Sequence, residues 1–506
     1  MYSCIIPRNI PRDIKDMAAE ENTRTSNVIY IKEQHKKHEK FVTRGSIFSP
    51  SSFAKTKRLK KLGGEKEKMK TKNKTLALVE IAVVLCSMLL AALPAIAAEQ
   101  TTKGVTASAI ITTASEDDYV LGIYGNANED DTIDMRDLTY VKLIFFGKRQ
   151  ETELADAKYD GEINPLDFVQ IKLIIVGKEK ELTIIDTADR IVTVKKPLER
   201  LIVLLSPILE PMRSLKLETD KIVGVGTYIK EDNIYFPEFS ECQGLGSVSS
   251  PDYEAILELH PDTVWIYARV GSSSSYEKIQ NTLNEADPTI TVLRIDGYRP
   301  SNHVDEIRKM GYILGKRNEA DEFLDFYNGV MNTVKERVEE HSEEDKPTVY
   351  LEWAPYKTCG EGAGYHEKIM LAGGNNIFSD LSSYPTVDPE EVIKRDPDII
   401  VIVARGNSGY ESDDITELTS LRDEIMSRPE LAEVTAVKQE RVYVISNDLY
   451  GGAQHFIGIA YLAKWFHPEL FKDLDPKAIH QEYLTRFQGL DYDLDKHGVF
   501  VYPEPS

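Results

Sequence analysis

The apolar positions of this chain change rhythm along its length. Short, largely apolar runs bounded by turn residues occupy 201–205, 221–225, 264–267, 289–295, 348–353, 399–403 and 442–446. Between them apolar residues return at three- and four-residue steps, as near 207–217, 276–284, 456–466 and 476–487. The runs predict buried parallel strands, and the longer period predicts helices laid against them. A hairpin with arms at 182–186 and 190–194 opens this region across Thr187-Ala188-Asp189. From 302 to 341 the pattern turns continuously helical, through Ile307, Met310, Ile313 and Leu314 to Phe323, Phe326, Tyr327, Val330 and Val334, and Pro347 ends it. The expected fold class is α/β: two Rossmann-like lobes, 182–300 and 346–506, joined by one long helix over 301–345.

One segment is written twice, 136 residues apart. Glu254 is followed by Pro261-Asp262, an apolar run and Ala268-Arg269; Glu390 is followed at the same offsets by Pro397-Asp398, an apolar run and Ala404-Arg405. Each copy predicts a short helix, a turn and a buried strand with an arginine at its C-terminal end. Open α/β sheets bind ligands at that end. Arg269 and Arg405 are therefore candidate ligand-binding residues, and Glu254 and Glu390 fall on equivalent surfaces away from the cleft. Pro-Asp before a strand is also ordinary α/β grammar, so the alternative is a repeat that reports only the fold.

Tyr228, Trp353, Tyr365, Tyr450 and His455 follow predicted strands or loops at the same end and join the candidate ligand site. Aromatic and guanidinium side chains suit a large, flat, anionic ligand. Two guanidinium groups facing one cavity repel unless an anion lies between them. Ordinary packing is the alternative for each aromatic, and helix capping is the alternative for His455. No two histidines beyond residue 98 pair at zinc spacing. Gly360-Glu361-Gly362-Ala363-Gly364 lacks the Gly-Lys-Ser/Thr ending of a phosphate loop, and a Gly-x-Ser-x-Gly elbow is absent from the sequence.

Charge divides the chain. It carries 83 Asp/Glu against 61 Lys/Arg, a net −22. The first 68 residues are basic at +8, which leaves the rest at −30 and argues against nucleic acid as a partner. Segment 1–68 reads as a disordered or misassigned extension. Met69 then opens a second beginning: Lys70, Lys72 and Lys74, an apolar stretch over 76–93, and Ala95-Ile96-Ala97. Residues 69–98 are thus expected to be a secretory signal or an uncleaved membrane anchor, which makes the protein extracellular and associated with the cell surface.

Residues 126–178 carry a second repeat, at an offset of 30: Lys142-Leu143-Ile144 and Gly147-Lys148 return as Lys172-Leu173-Ile174 and Gly177-Lys178. A loop with oxygen ligands at calcium spacing precedes each. In the first, Asn126, Asn128, Asp130, Thr132 (through its carbonyl), Asp134 and Asp137 hold positions 1, 3, 5, 7, 9 and 12. In the second, Asp156, Asp160, Glu162, Asn164 and Asp167 hold positions 1, 5, 7, 9 and 12. Ca2+ gathers roughly six to eight hard oxygens around such a turn. Residues 120–180 resemble a dockerin domain, a small all-α module of paired calcium loops. The resemblance implies bound calcium and a cohesin-bearing partner. Asp131 replaces the usual glycine at position 6 of the first loop, and Lys158 replaces a ligand at position 3 of the second. At least one loop is expected to bind weakly. An acidic helical linker with degenerate loops is the alternative.

The two lobes resemble the helical-linker class of substrate-binding proteins of ABC importers, which serve iron–siderophore, haem and cobalamin uptake. The resemblance rests on Ile185-Asp186, Asp189-Arg190-Ile191-Val192-Thr193-Val194, Lys221-Ile222-Val223-Gly224-Val225, Leu371-Ala372-Gly373-Gly374-Asn375-Asn376-Ile377 and Val387-Asp388-Pro389-Glu390. It implies a non-enzymatic receptor that captures a metal chelate or corrinoid and presents it to a membrane permease, with Glu254 and Glu390 meeting that permease. A dockerin-borne secreted hydrolase and a structural surface-assembly protein are the competing readings.

Overall fold

The structure, a computed structural model, describes residues 119–268, 273–340 and 342–505. Segment 1–68, the signal or anchor at 69–98, and Arg269 lie outside the described residues. The described residues all fall in one compact unit, Val84–Ser506.

The calcium-loop region supplies helices α1 (Met135–Phe145) and α2 (Pro165–Ile175). It packs onto the hairpin of β1 (Glu181–Ile185) and β2 (Ile191–Lys195). Segment 122–124 lies along β1, through Tyr124 N–H to Thr183 O at 2.9 Å and Ile185 N–H to Gly122 O at 2.8 Å. Val141, Ile144, Ile171 and Ile174 are buried in the same continuous core as the first lobe.

The first lobe holds β3 (Leu201–Val203), helix α3 (Ser206–Ser214), β4 (Ile222–Val225), β5 (Gln243–Gly244), helix α4 (Tyr253–Glu258), β6 (Thr263–Ile266) and β7 (Thr291–Arg294). Its sheet is parallel throughout, in the order β5-β4-β3-β6-β7. The chain fills one side of β3, then crosses to the other. The switch point therefore lies between β3 and β6. Every residue of β6 is buried, as expected of a strand covered on both faces.

The 302–341 pattern is two helices rather than the single linking helix the sequence predicts. These are α5 (Pro300–Leu314) and α6 (Arg317–Glu339). Gly315 ends α5 in the left-handed region at φ 71°, where a residue with a Cβ is strained. Position 311 lies against Ala320, and the His303 ring lies 4.6 Å from the Tyr327 ring, so the helices run antiparallel. Both are apolar on one face, which is why their periods merge in the sequence. The 23 residues of α6 span about 34 Å and carry the chain to the second lobe.

That lobe contains β8 (Thr348–Glu352), α7 (Gly364–Leu371), β9 (Asn375–Asn376), α8 (Pro389–Arg395), β10 (Ile399–Ala404), β11 (Val442–Ser446), α9 (His455–Phe466) and β12 (Val501–Tyr502). The sheet order is β9-β8-β10-β11-β12, with β12 antiparallel. Its switch point lies between β8 and β10. The repeated Pro-Asp has one job in both lobes. Asp262 Oδ2 accepts from the amides of Glu199 and Arg200 just before β3, and Asp398 Oδ2 accepts from the amide and hydroxyl of Thr348 at the start of β8. Each aspartate thus registers its strand against the lobe's first strand.

His303 on α5 and His455 at the start of α9 are fully buried together, with ring centres 4.7 Å apart. Burial pushes His303 down to about 3. A histidine held neutral in the folded state contributes its full stability above its unfolded value of about 6.5 and loses it as pH falls. Relative to His303→Leu, the wild-type protein should lose roughly 1.4 kcal/mol for each pH unit below about 6.5. Paired denaturant titrations check this, and parallel curves would contradict it.

Candidate functional site

A cavity of about 660 Å³ opens between the lobes. Its walls come from residues just past strand C-termini. Ser206 and Pro207 follow β3, Tyr228 follows β4, Tyr267 follows β6 and Tyr298 follows β7. Trp353 follows β8, Arg405 follows β10, and Asn447 and Asp448 follow β11. Both switch points therefore face one volume, the place where open α/β sheets bind ligands. The size suits a small-molecule site.

Four sequence candidates meet there: Tyr228, Trp353, Tyr365 and Arg405. Arg405 is exposed, with its guanidinium carbon 5.1 Å from the Trp353 ring centre. The Trp353 indole donates to Thr358 O at 3.2 Å. The Tyr365 hydroxyl donates to Asn447 Oδ1 at 2.8 Å, and the Tyr228 hydroxyl donates to Ser206 Oγ at 3.2 Å. Tyr450 and His455 do not line the cavity, and their expected place is corrected. Tyr450 is fully buried behind the wall and donates to Tyr365 O at 2.9 Å. His455 faces the core because α9 is apolar around nearly its whole circumference. Its Nε2 lies 3.1 Å from the Tyr327 hydroxyl.

The sequence pattern did not mark Tyr235, Tyr267, Tyr298, Tyr384 and Tyr410, nor Glu210, Asp232, Glu411 and Asp448. Position alone could have found some of them, since Tyr267 and Asp448 follow apolar strand runs directly. Tyr298 sits on a turn at Gly297, φ 70°, where a Cβ would meet Pro207 O at 2.1 Å. Buried Glu306 holds that turn through the amides of Asp296 and Gly297 at 2.8 and 2.7 Å. Behind the tyrosines lies Lys368, fully buried among the rings of Tyr298, Tyr365 and Tyr450. Burial pushes its amine down to about 7.

The lobes meet around this cavity. The Tyr235 and Tyr410 rings stack at 4.4 Å. Arg299 pairs with Glu367. Glu210 Oε1 on α3 accepts the hydroxyls of Tyr235 and of Tyr483 from the far lobe, each at 2.7 Å.

The two calcium-type loops share one hydrogen-bond pattern. Position 1 accepts the position 5 amide, through Asn126 and Asp156. Position 5 accepts the position 7 amide, through Asp130 and Asp160. Position 12 accepts the amides of positions 3 and 9, through Asp137 and Asp167. Asp134 and Asn164 cap α1 and α2. Glu129 and Tyr159, both at position 4, share the left-handed conformation. They differ in what meets the carboxylates. Arg136 pairs with Asp130 at 3.0 Å and Asp134 at 2.9 Å, and Asn128 Nδ2 also donates to Asp130. The first loop also leans on α5, where Tyr312 Oη takes the Ile133 amide at 3.0 Å and Arg308 meets Asp131 at 3.4 Å. In the second loop Asp156 and Asp160 accept backbone amides, and Glu162 is exposed. Among the described residues, no three His, Cys, Asp or Glu side chains gather as a metal site.

The lobes, their facing switch points and the cavity define the TroA-like periplasmic-binding-protein fold. Residues 214–449 match the family model described as periplasmic binding protein. The vitamin B12-binding protein of Salmonella paratyphi A is 25% identical over 186 residues, 36% of this chain. The match spans 65% of that relative's own length. The molybdate-binding protein MolA of Haemophilus influenzae is 22% identical over 347 residues, covering 62% of this chain and 92% of its own. The solved structure of the TroA-like periplasmic binding protein FepB from Veillonella parvula aligns with a TM-score of 0.54 at 25% identity, over 63% of this chain and 98% of that one.

Proposed function

We propose that this protein is the extracellular solute-binding component of an ABC importer, and that it captures a metal chelate or corrinoid between its lobes without chemical change. The observation that carries this reading is the cavity where the two switch points meet, walled by tyrosines and Trp353. Flat aromatic faces grip the body of a large ligand at small conformational cost. The vitamin B12-binding name of one relative fits the corrinoid side of this reading. Spectroscopic titration with cobalamin, haem and ferric siderophores tests it: saturable binding of one of these chelates supports it, and binding of none overturns it.

Permease contact falls on Glu254 and Glu390. Both are exposed, each in the first turn of a short helix capped by Asp252 or Asp388. The region 120–180 serves as a dockerin-like tether to a cohesin-bearing surface protein, supported by its two matching loops. The first loop does not suit calcium as it stands, because Arg136 already neutralises Asp130 and Asp134. The second fits better, through Asp156, Asp160, Glu162, Asn164 and Asp167, with Lys158 as its one cationic intruder. Removing Ca2+ from the whole protein should lower the melting point of the α1–α2 region, and Asp156→Ala should erase that shift while Asp130→Ala leaves it. Calorimetry in calcium and in chelator measures both, and a melt indifferent to calcium would remove the metal from the proposal.

A further inference from the structure

We infer that the cleft selects for positive charge, so that its solute is a cationic, flat-bodied chelate or corrinoid rather than an anionic one. This rests on the receptor reading above and reverses the ligand charge that the paired arginines of the sequence suggest.

The charge balance of the cavity is decisive. Among its described lining residues, Arg405 stands against the carboxylates of Glu210, Asp232, Glu411 and Asp448. Arg405 already lies over the Trp353 ring. Glu210 is internally compensated: it takes two tyrosine hydroxyls, and the Arg213 guanidinium lies beside Tyr235 with its carbon 4.6 Å from the ring centre. Asp232, Glu411 and Asp448 remain. Asp232 caps the short helix after β4, Glu411 comes from the segment after β10 and Asp448 from the short helix after β11, so both lobes bring carboxylates to the cavity.

These groups act on one another. Asp448 is pushed up to about 7, first by burial and then by the charges of Asp232, Glu210 and Glu411; the Tyr410 amide opposes the rise. Like charges gathered in a partly desolvated cleft repel, and a cation placed among them relieves that repulsion. The rings of Tyr228 and Tyr267 add to this, because aromatic faces attract cations as well as apolar bodies. A bare metal ion is the wrong occupant. The volume is far larger than an ion, and among the described residues no three His, Cys, Asp or Glu side chains converge.

The test uses ligands of one body and different charge. Ferrioxamine B carries a free ammonium, its N-acetyl form is neutral there, and its N-succinyl form is negative. Aquacobalamin and cyanocobalamin give a second, corrinoid pair that is cationic and neutral. Calorimetric titration of the full chain should show the cationic member of the preferred body binding at least tenfold tighter than the neutral one, with the anionic form weaker still. Glu411→Gln and Asp232→Asn, together and singly, should shrink that ratio toward one. Glu411 is exposed, and Asp232→Asn keeps a side-chain oxygen for the amides of Ile234 and Tyr235, so both variants should fold, as a thermal melt confirms. Equal affinity across a series, or tighter binding of the anionic form, overturns the charge preference and leaves the receptor reading standing. Binding of none of the probes overturns both.

Discussion

Replacing Glu254 and Glu390 together with alanine should abolish solute uptake while leaving the affinity of the isolated protein unchanged. The two glutamates occupy equivalent places in the two copies of the repeat, on α4 and α8, before the strands whose far ends form the cleft. An exposed charge pair contributes little by itself, about 0–1 kcal/mol. Two such contacts on separate lobes of one body instead fix how it sits on its partner, which is where electrostatic complementarity has its effect. The double variant should therefore lose far more transport than either single one. Uptake into proteoliposomes, with ligand titration of the same preparations, measures both quantities. Matching losses of affinity and transport would place these residues in ligand binding, and normal uptake would remove them from docking.

Truncating Glu210 to alanine should cost about 1–3 kcal/mol of stability, the scale for leaving buried hydrogen-bonding groups without their partner. Glu210 is 4% exposed and receives the hydroxyls of Tyr235 and Tyr483. Gln488 adds a third strand to the web, donating to Ser214 Oγ at 2.6 Å and accepting from Arg213 Nε at 2.6 Å. The C-terminal segment of the second lobe is thereby tied to α3 of the first. Glu210→Gln keeps acceptors for the tyrosines and should recover most of the loss. It should also gain on the wild type as pH rises. Burial raises the Glu210 carboxyl above its ordinary value, so its stabilising contribution is complete below about pH 4.5 and is lost on ionisation above that. Denaturant midpoints at several pH values give the result, and an alanine variant as stable as wild type would show that the lobes are held elsewhere.

The lobes were legible because parallel strands buried on both faces leave unbroken apolar runs, such as Ile399–Ala404. The repeat was legible for the same reason: Asp262 and Asp398 do identical work, and the strand that follows each ends at the cleft. Most cavity-lining residues follow from one rule about strand ends: Trp353 comes directly after β8 and Arg405 directly after β10. The break at Gly315 was not visible, since two helices with like-facing apolar stripes read as one. His455 and Tyr450 misled because a residue after a strand can turn inward as readily as outward, and only packing against His303, Tyr327 and Tyr365 decides it. The acidic wall was hidden because Glu210, Asp232, Glu411 and Asp448 are scattered through the sequence and meet only when the lobes face each other.

If the inter-lobe cavity holds the ligand, tryptophan fluorescence reports its binding. Of the three tryptophans, Trp353 lines the cavity, whereas Trp265 and Trp465 are buried in the lobes. Gly452 also lines it, and a Cβ there would meet only Asp448 O at 3.4 Å and Glu210 Oε2 at 3.8 Å, ordinary contacts, so a side chain begins there without a clash. Titration with cobalamins and ferric siderophores should quench the wild-type signal with one-to-one saturation. Trp353→Phe should remove most of that quench, and Gly452→Phe should weaken binding at least tenfold while the melting temperature holds. Saturable binding that persists at wild-type affinity in Gly452→Phe would place the ligand elsewhere on the molecule and contradict the account.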